Sequence, residues 1–249
     1  GTWSIGIYLK NSATTKIDTS NKINLSGSKN IGIYVDNSAD LTFENSLDFT
    51  NSNINENIYL YAKNTNIDIA VKKTLTVDGG GIPVSPDENK KTIGVFITDN
   101  STIKGDISVK GGAIGIYANG SAPLDISLTA EGTGTTGAFL DGASTISGIV
   151  TAKGDATAGA IGVYGSSGKV TIGATGIILK MDNGIGTGMY LTGGAYADGG
   201  LITVNNSGAD NNIGVFYSKG AVTAGVTNSS EISLKGNKSI GIYAADGIA

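Results

Sequence analysis

Ile31-Gly32-Ile33-Tyr34-Val35-Asp36, Asn37-Ser38, Leu41-Thr42-Phe43-Glu44, Asn45-Ser46, Leu47-Asp48-Phe49-Thr50: this stretch decides the fold. Ile31, Ile33 and Val35 alternate with Gly32, Tyr34 and Asp36, the period-two pattern of a strand with one buried face. Asn37-Ser38 interrupts the run with residues that tolerate left-handed backbone and local hydrogen bonds. Leu41 and Phe43 then alternate with Thr42 and Glu44, and after Asn45-Ser46 a third run alternates Leu47 and Phe49 with Asp48 and Thr50. Asn51 to Asn57 is polar and leads to the next copy.

The opening phrase of that unit recurs along the whole chain. Copies begin at Ile5, Ile31, Ile58, Ile93, Ile114, Thr136, Ile161, Thr187, Ile213 and Ile240, at intervals of 26, 27, 35, 21, 22, 25, 26, 26 and 27 residues. The third run has its own column, read as Ile23/Leu25, Leu47/Phe49, Leu75/Val77, Ile107/Val109, Ile126/Leu128, Ile202/Val204 and Ile232/Leu234. A period in this range belongs to stacked solenoids, propellers or arrays. Three short strands per turn, about 26 residues per turn and no helical periodicity predict an all-β chain forming a right-handed parallel β-helix, the hand favoured by crossovers between parallel strands. Residues 1–249 are read as one continuous segment of about nine rungs, roughly 43 Å long at about 4.8 Å per rung. Because both ends fall inside the repeat, the chain is expected to be an excerpt of a longer protein.

Composition narrows the chemistry. The chain has 17 lysines, no arginine, no histidine, no cysteine and a net charge of −4. That removes His-based catalytic triads, disulfides and cysteine metal sites. It also leaves no basic stripe for a phosphate backbone. No apolar run approaches the roughly 20 residues of a membrane-spanning helix. Gly132-Thr133-Gly134-Thr135-Thr136-Gly137 matches a dinucleotide fingerprint but leads into a strand, where that fingerprint needs a helix. No catalytic, cofactor or metal site is assigned. Scattered Asp residues leave only a glycosidase-like pair on adjacent rungs as a route to enzyme activity.

Two features qualify as candidate sites. The fourth phrase position is aromatic in all ten copies, seven Tyr and three Phe. Strict alternation turns it outward, beside the glycine that fills the second position in nine copies. Rings stacked over bare glycine backbone are a stabilising device, whereas a tyrosine-rich stripe is also a binding surface. The structural account is preferred. The second feature is the 35-residue interval, where Gly79 to Lys91 carries two of the three prolines and is expected to protrude as a loop. The copy before it lacks glycine, so Tyr59 and Tyr61 are both expected to face outward. Tyr59, Tyr61, Pro83, Pro86, Asp87 and Lys90 are therefore the candidate partner-binding residues. Changing Tyr59 and Tyr61 to Ser is expected to weaken binding and leave the rod folded.

The I-G-[IV]-[YF] phrase, with N-S or D-N-S at the following corner and Asn/Lys/Ile-rich filler, resembles the passengers of large type V autotransporters. The nearest likeness is to the fusobacterial outer-membrane adhesins. The resemblance covers essentially all of residues 1–249. It implies a passenger on the outer face of a bacterial outer membrane, a C-terminal β-barrel translocator in the same polypeptide, and attachment to a host or bacterial surface protein or glycan. The motif is scaffold, so no binding residue is carried over. A segment that binds a partner, a spacer that presents a distal tip, and a glycan-cleaving β-helix are the functional readings, in that order.

Overall fold

The computed structural model describes residues 4–18, 22–38, 40–51, 56–80, 91–98, 100–153, 159–173, 177–181, 186–206, 212–218, 231–235 and 238–245. Among them every regular element is a strand, and every strand pairing is parallel. The chain is a β-solenoid of stacked three-strand coils. The phrase forms a ten-stranded sheet, from Ser4–Lys10 through Asn30–Asp36 and Ile58–Lys63 to Ile240–Ala244. Its strands stack in phrase register: Ile33 lies on Leu60, Tyr34 on Tyr61 and Val35 on Ala62. A second sheet holds the other two columns, which include Asp40–Phe43 on Asn66–Ile69 and Leu47–Asn51 on Thr74–Asp78.

Ile33, Val35, Leu41, Phe43, Leu47 and Phe49 are all buried, so a single coil lines the interior from three sides. Each such side chain gains roughly 1.5–3 kcal/mol from burial, and only when coils above and below complete its surroundings. Corner chemistry follows the residue types. Asn11, Asn37 and Asn64 end the phrase strand at φ of 51°, 53° and 48°. Asn64 Nδ2 donates to Asn37 Oδ1 at 2.8 Å, tying one corner to the next. Just before the phrase, Asn57 is fully buried. Its Oδ1 accepts from the Asn30 backbone N–H at 2.9 Å, and its Nδ2 donates to the Gly27 carbonyl at 2.9 Å. A buried amide in a solenoid is tolerable because it bonds to the coil below.

Three expectations need correction. Alternation does not run straight through the phrase. Gly32 and Ile33 are both buried, as are Tyr59 and Leu60, so the strand reverses its parity at the second position. The ladder register skips that position, passing from Ile31/Ile58 to Ile33/Leu60. The glycines therefore line the interior and not the outer face. The first position, expected inside, is only partly covered in most copies, including Ile58 and Ile93. The cause is a bend within the strand as the coil turns its corner, which the period-two rule for straight strands cannot register.

The third column is also shifted in two places. Ile23 pairs with Phe49, and Leu128 rather than Ile126 pairs with Ile107. A two-residue slip keeps every side chain on its own face, so hydrophobic pattern alone cannot detect it. Finally, the second and third strands are not always separate. In two successive coils they fuse into nine-residue strands, Thr102–Lys110 and Pro123–Glu131, each pairing across both columns.

Candidate functional site

The aromatic column is a continuous stack. Nine successive contacts join Tyr8 to Tyr243, with ring centroids 4.6–5.2 Å apart. All but the first lie within 18° of parallel, and the Tyr8–Tyr34 pair is tilted by 35°. The rings face outward as expected, yet neighbours cover them: Tyr8 is 53% exposed at one end and Phe139 only 8% in the middle. Burial raises the phenol pKa of Tyr34 and Tyr117. Stacking consumes the ring faces. What remains for a partner is edges and hydroxyls, so the column contributes chiefly cross-strand stabilisation, about 0.2–1 kcal/mol per pair.

Of the candidate partner-binding residues, Tyr59 does not reach the surface. Tyr59 occupies the glycine position and points inward, with 0% of its surface exposed. Its ring stacks on Phe49 at 4.8 Å and 4°. Its hydroxyl is buried with no hydrogen-bond partner among the described residues. Burial, reinforced by the Asp78 carboxylate, pushes that phenol far above its ordinary pKa. Tyr61 sits in the outer stack between Tyr34 and Phe96. Pro83, Pro86, Asp87 and Lys90 lie outside the described residues. On the near flank of that segment Lys91 is buried, and its Nζ donates to the Gly134 carbonyl at 3.0 Å.

The described surface departs most from a uniform rod at the two fused strands. Asp68 and Thr74 stand six positions apart, whereas their register partners Lys104 and Asp106 are only two apart, as are Asp125 and Ser127 one coil further. Four residues present in one coil, Ala70 to Lys73, have no counterpart in the next two. They form a β-turn closed by the Lys73 N–H on the Ala70 carbonyl at 2.9 Å, with Lys72 left-handed at φ 64°. Val71 at its tip is 87% exposed. The turn overhangs a shelf made by the fused strands. Beneath it is a cavity of about 440 Å3 that reaches from Val71 across Asp106 and Ser127 to Gly148.

The shelf can be this flat because Gly105 crosses the bend at φ 117°, where an added Cβ would lie 2.6 Å from the Ile69 Cβ. A second cavity, of about 490 Å3, adjoins the first along Thr42, Asp68, Lys104 and Asp125 and extends to Thr14 and Pro123. Asp68 accepts from the Lys104 ammonium at 2.9 Å. That hydrogen bond and the Asp68 charge hold the lysine above its ordinary pKa, with Asp125 and Asp40 adding to the effect. One ammonium thus already sits in the field of three carboxylates. Among the described residues no cluster of three or more carboxylates is placed to hold a metal ion.

Sequence reasoning missed this shelf. Its signal was the pair of short intervals, 21 and 22 residues, which follow directly on the long one. A coil that loses residues without losing a strand must lose a turn. No known protein family, curated protein or solved structure matches the chain.

Proposed function

We propose that the chain is a lateral binding segment of a surface adhesin, carried as part of an autotransporter-type passenger on the outer face of a bacterial outer membrane. The partner is a protein or glycan on a host or bacterial cell, and a C-terminal β-barrel of the same polypeptide is the anchor. The passenger assignment rests on the repeat phrase and its corner residues. The observation that favours binding over mere spacing is the overhung shelf: a spacer needs only uniform coils, and here one turn projects an exposed Val71 over two flattened coils. Concave sites with convergent polar groups are the default binding hypothesis on a scaffold.

The spacer reading draws on the aromatic column, whose ring faces are consumed by stacking and whose repetition serves every coil alike. Deleting Ala70 to Lys73 separates the two readings. It shortens the step from Asp68 to Thr74 from six positions to the two of the next coil and removes the overhang without touching a strand. With the full passenger displayed on its own cell, attachment to partner cells should fall by at least about tenfold, as loss of a central contact of 1.4 kcal/mol or more requires. Attachment at the original level would mean that these coils only space. Turnover of a glycan by the purified segment would instead point to the enzyme reading.

A further inference from the structure

We infer that the shelf and the groove continuing from it dock an extended basic segment of a partner protein. The groove runs along the solenoid axis. Thr14, Asp40, Asn66, Thr102 and Pro123, which line it, lie on five successive coils. Four strand spacings make roughly 19 Å, the reach of about six extended residues. The charge lining the two cavities is unequal: Asp40, Asp68, Asp106 and Asp125 against Lys72 and Lys104.

The carboxylates are arranged, not scattered. Asp68 and Asp125 flank Lys104 in register on successive strands, and Asp106 lies two positions along from Lys104 on the same outer face. With Asp68 engaged by Lys104 at 2.9 Å, the shelf keeps Asp106 and Asp125, whose Oδ1 also accepts from the Ser147 hydroxyl at 3.4 Å, on adjacent strands as acceptors for a second ammonium or guanidinium. Val71 at the overhang offers an apolar contact to a neighbouring side chain of the same ligand. An anionic ligand would meet the wrong sign here. A neutral oligosaccharide would gain nothing from the charge excess, and among the described residues no aromatic ring lines either cavity to stack on a sugar. Complementary charge of this kind steers association and selects partners.

The test uses labelled hexalysine, hexaglutamate and a neutral hexasaccharide as probes, with binding followed by fluorescence anisotropy at low and physiological ionic strength. Hexalysine should bind saturably at one site and weaken as salt is raised. Changing Asp106→Asn together with Asp125→Asn should weaken it about tenfold. Removing the same charge elsewhere, by Asp48→Asn with Glu231→Gln, should change binding by less than about twofold. Equal losses from the two pairs would reduce the attraction to diffuse charge and overturn the inference. So would absence of hexalysine binding, or saturable binding of the hexasaccharide that the Asp106/Asp125 pair abolishes. The inference rests on the reading as a binding segment, and the two fail differently. Attachment lost on deleting the overhang, without hexalysine binding, overturns the basic ligand alone; attachment that survives the deletion overturns the binding reading.

Discussion

Tyr59→Ser should unfold the coils around it, with a loss of about 3–5 kcal/mol, the range for truncating a buried aromatic side chain. The ring is fully enclosed and stacked face to face on Phe49, so its removal leaves a cavity in a rod whose coils support one another only through their neighbours. The same substitution at Tyr61 should cost far less, because that ring is only partly buried in the outer stack. Tyr59→Phe should go the other way. It keeps the stack with Phe49 and deletes a buried hydroxyl that has no hydrogen-bond partner among the described residues, a group whose burial costs about 1–3 kcal/mol. Hydrogen exchange of the amides at Leu60 and Val77 reads these effects locally, which matters because a solenoid need not unfold in one step. Wild-type protection in Tyr59→Ser would mean that the ring lies outside the core. Destabilisation by Tyr59→Phe would mean that the hydroxyl is satisfied.

Much of the coil was legible before any coordinates. The period located all ten phrase strands, and Asn-Ser corners marked the ends of the first two, because turn residues and strand residues differ for local backbone reasons. The aromatic stack followed from parity at the fourth position. Facing at the second position did not, because alternation assumes a straight strand and the coil bends inside its own phrase. Tyr59 is the discordant residue: strict alternation makes it a second exposed ring, and the bend turns it inward. The two-residue slips at Ile23 and Leu128 were beyond pattern altogether, since they preserve facing. For the candidate site the failure was one of emphasis. The long interval and its prolines are the conspicuous break in the repeat, whereas the turn disappears in the two short intervals after it.

The glycine column yields the second large effect, and it isolates steric exclusion from backbone conformation. At Gly137 an added Cβ would lie 2.5 Å from the Gly162 carbonyl oxygen and 3.0 Å from Leu128 Cδ2. The oxygen is backbone of the adjacent strand of the ten-stranded sheet, so a Cβ is admitted only at the cost of a local shift of the ladder. Gly115 repeats the situation, with the Gly137 carbonyl oxygen at 2.7 Å and Val109 Cγ1 at 3.0 Å. Gly137→Ala should therefore cost about 2–3 kcal/mol, at the upper end of overpacking penalties, and Gly137→Val more. Gly120 supplies the contrast. It holds φ at 94°, but nothing lies within 4 Å of its missing Cβ. Gly120→Ala should cost only the conformational term, about 1–2 kcal/mol. Thermal melts of the three variants against the wild type check the order Gly137→Val, Gly137→Ala, Gly120→Ala. If the two alanine variants melted together, the column would be glycine for backbone freedom. The order expected here requires instead that the strand stacked against the column resists a side chain there, and Tyr59 enters that column with its ring stacked on Phe49.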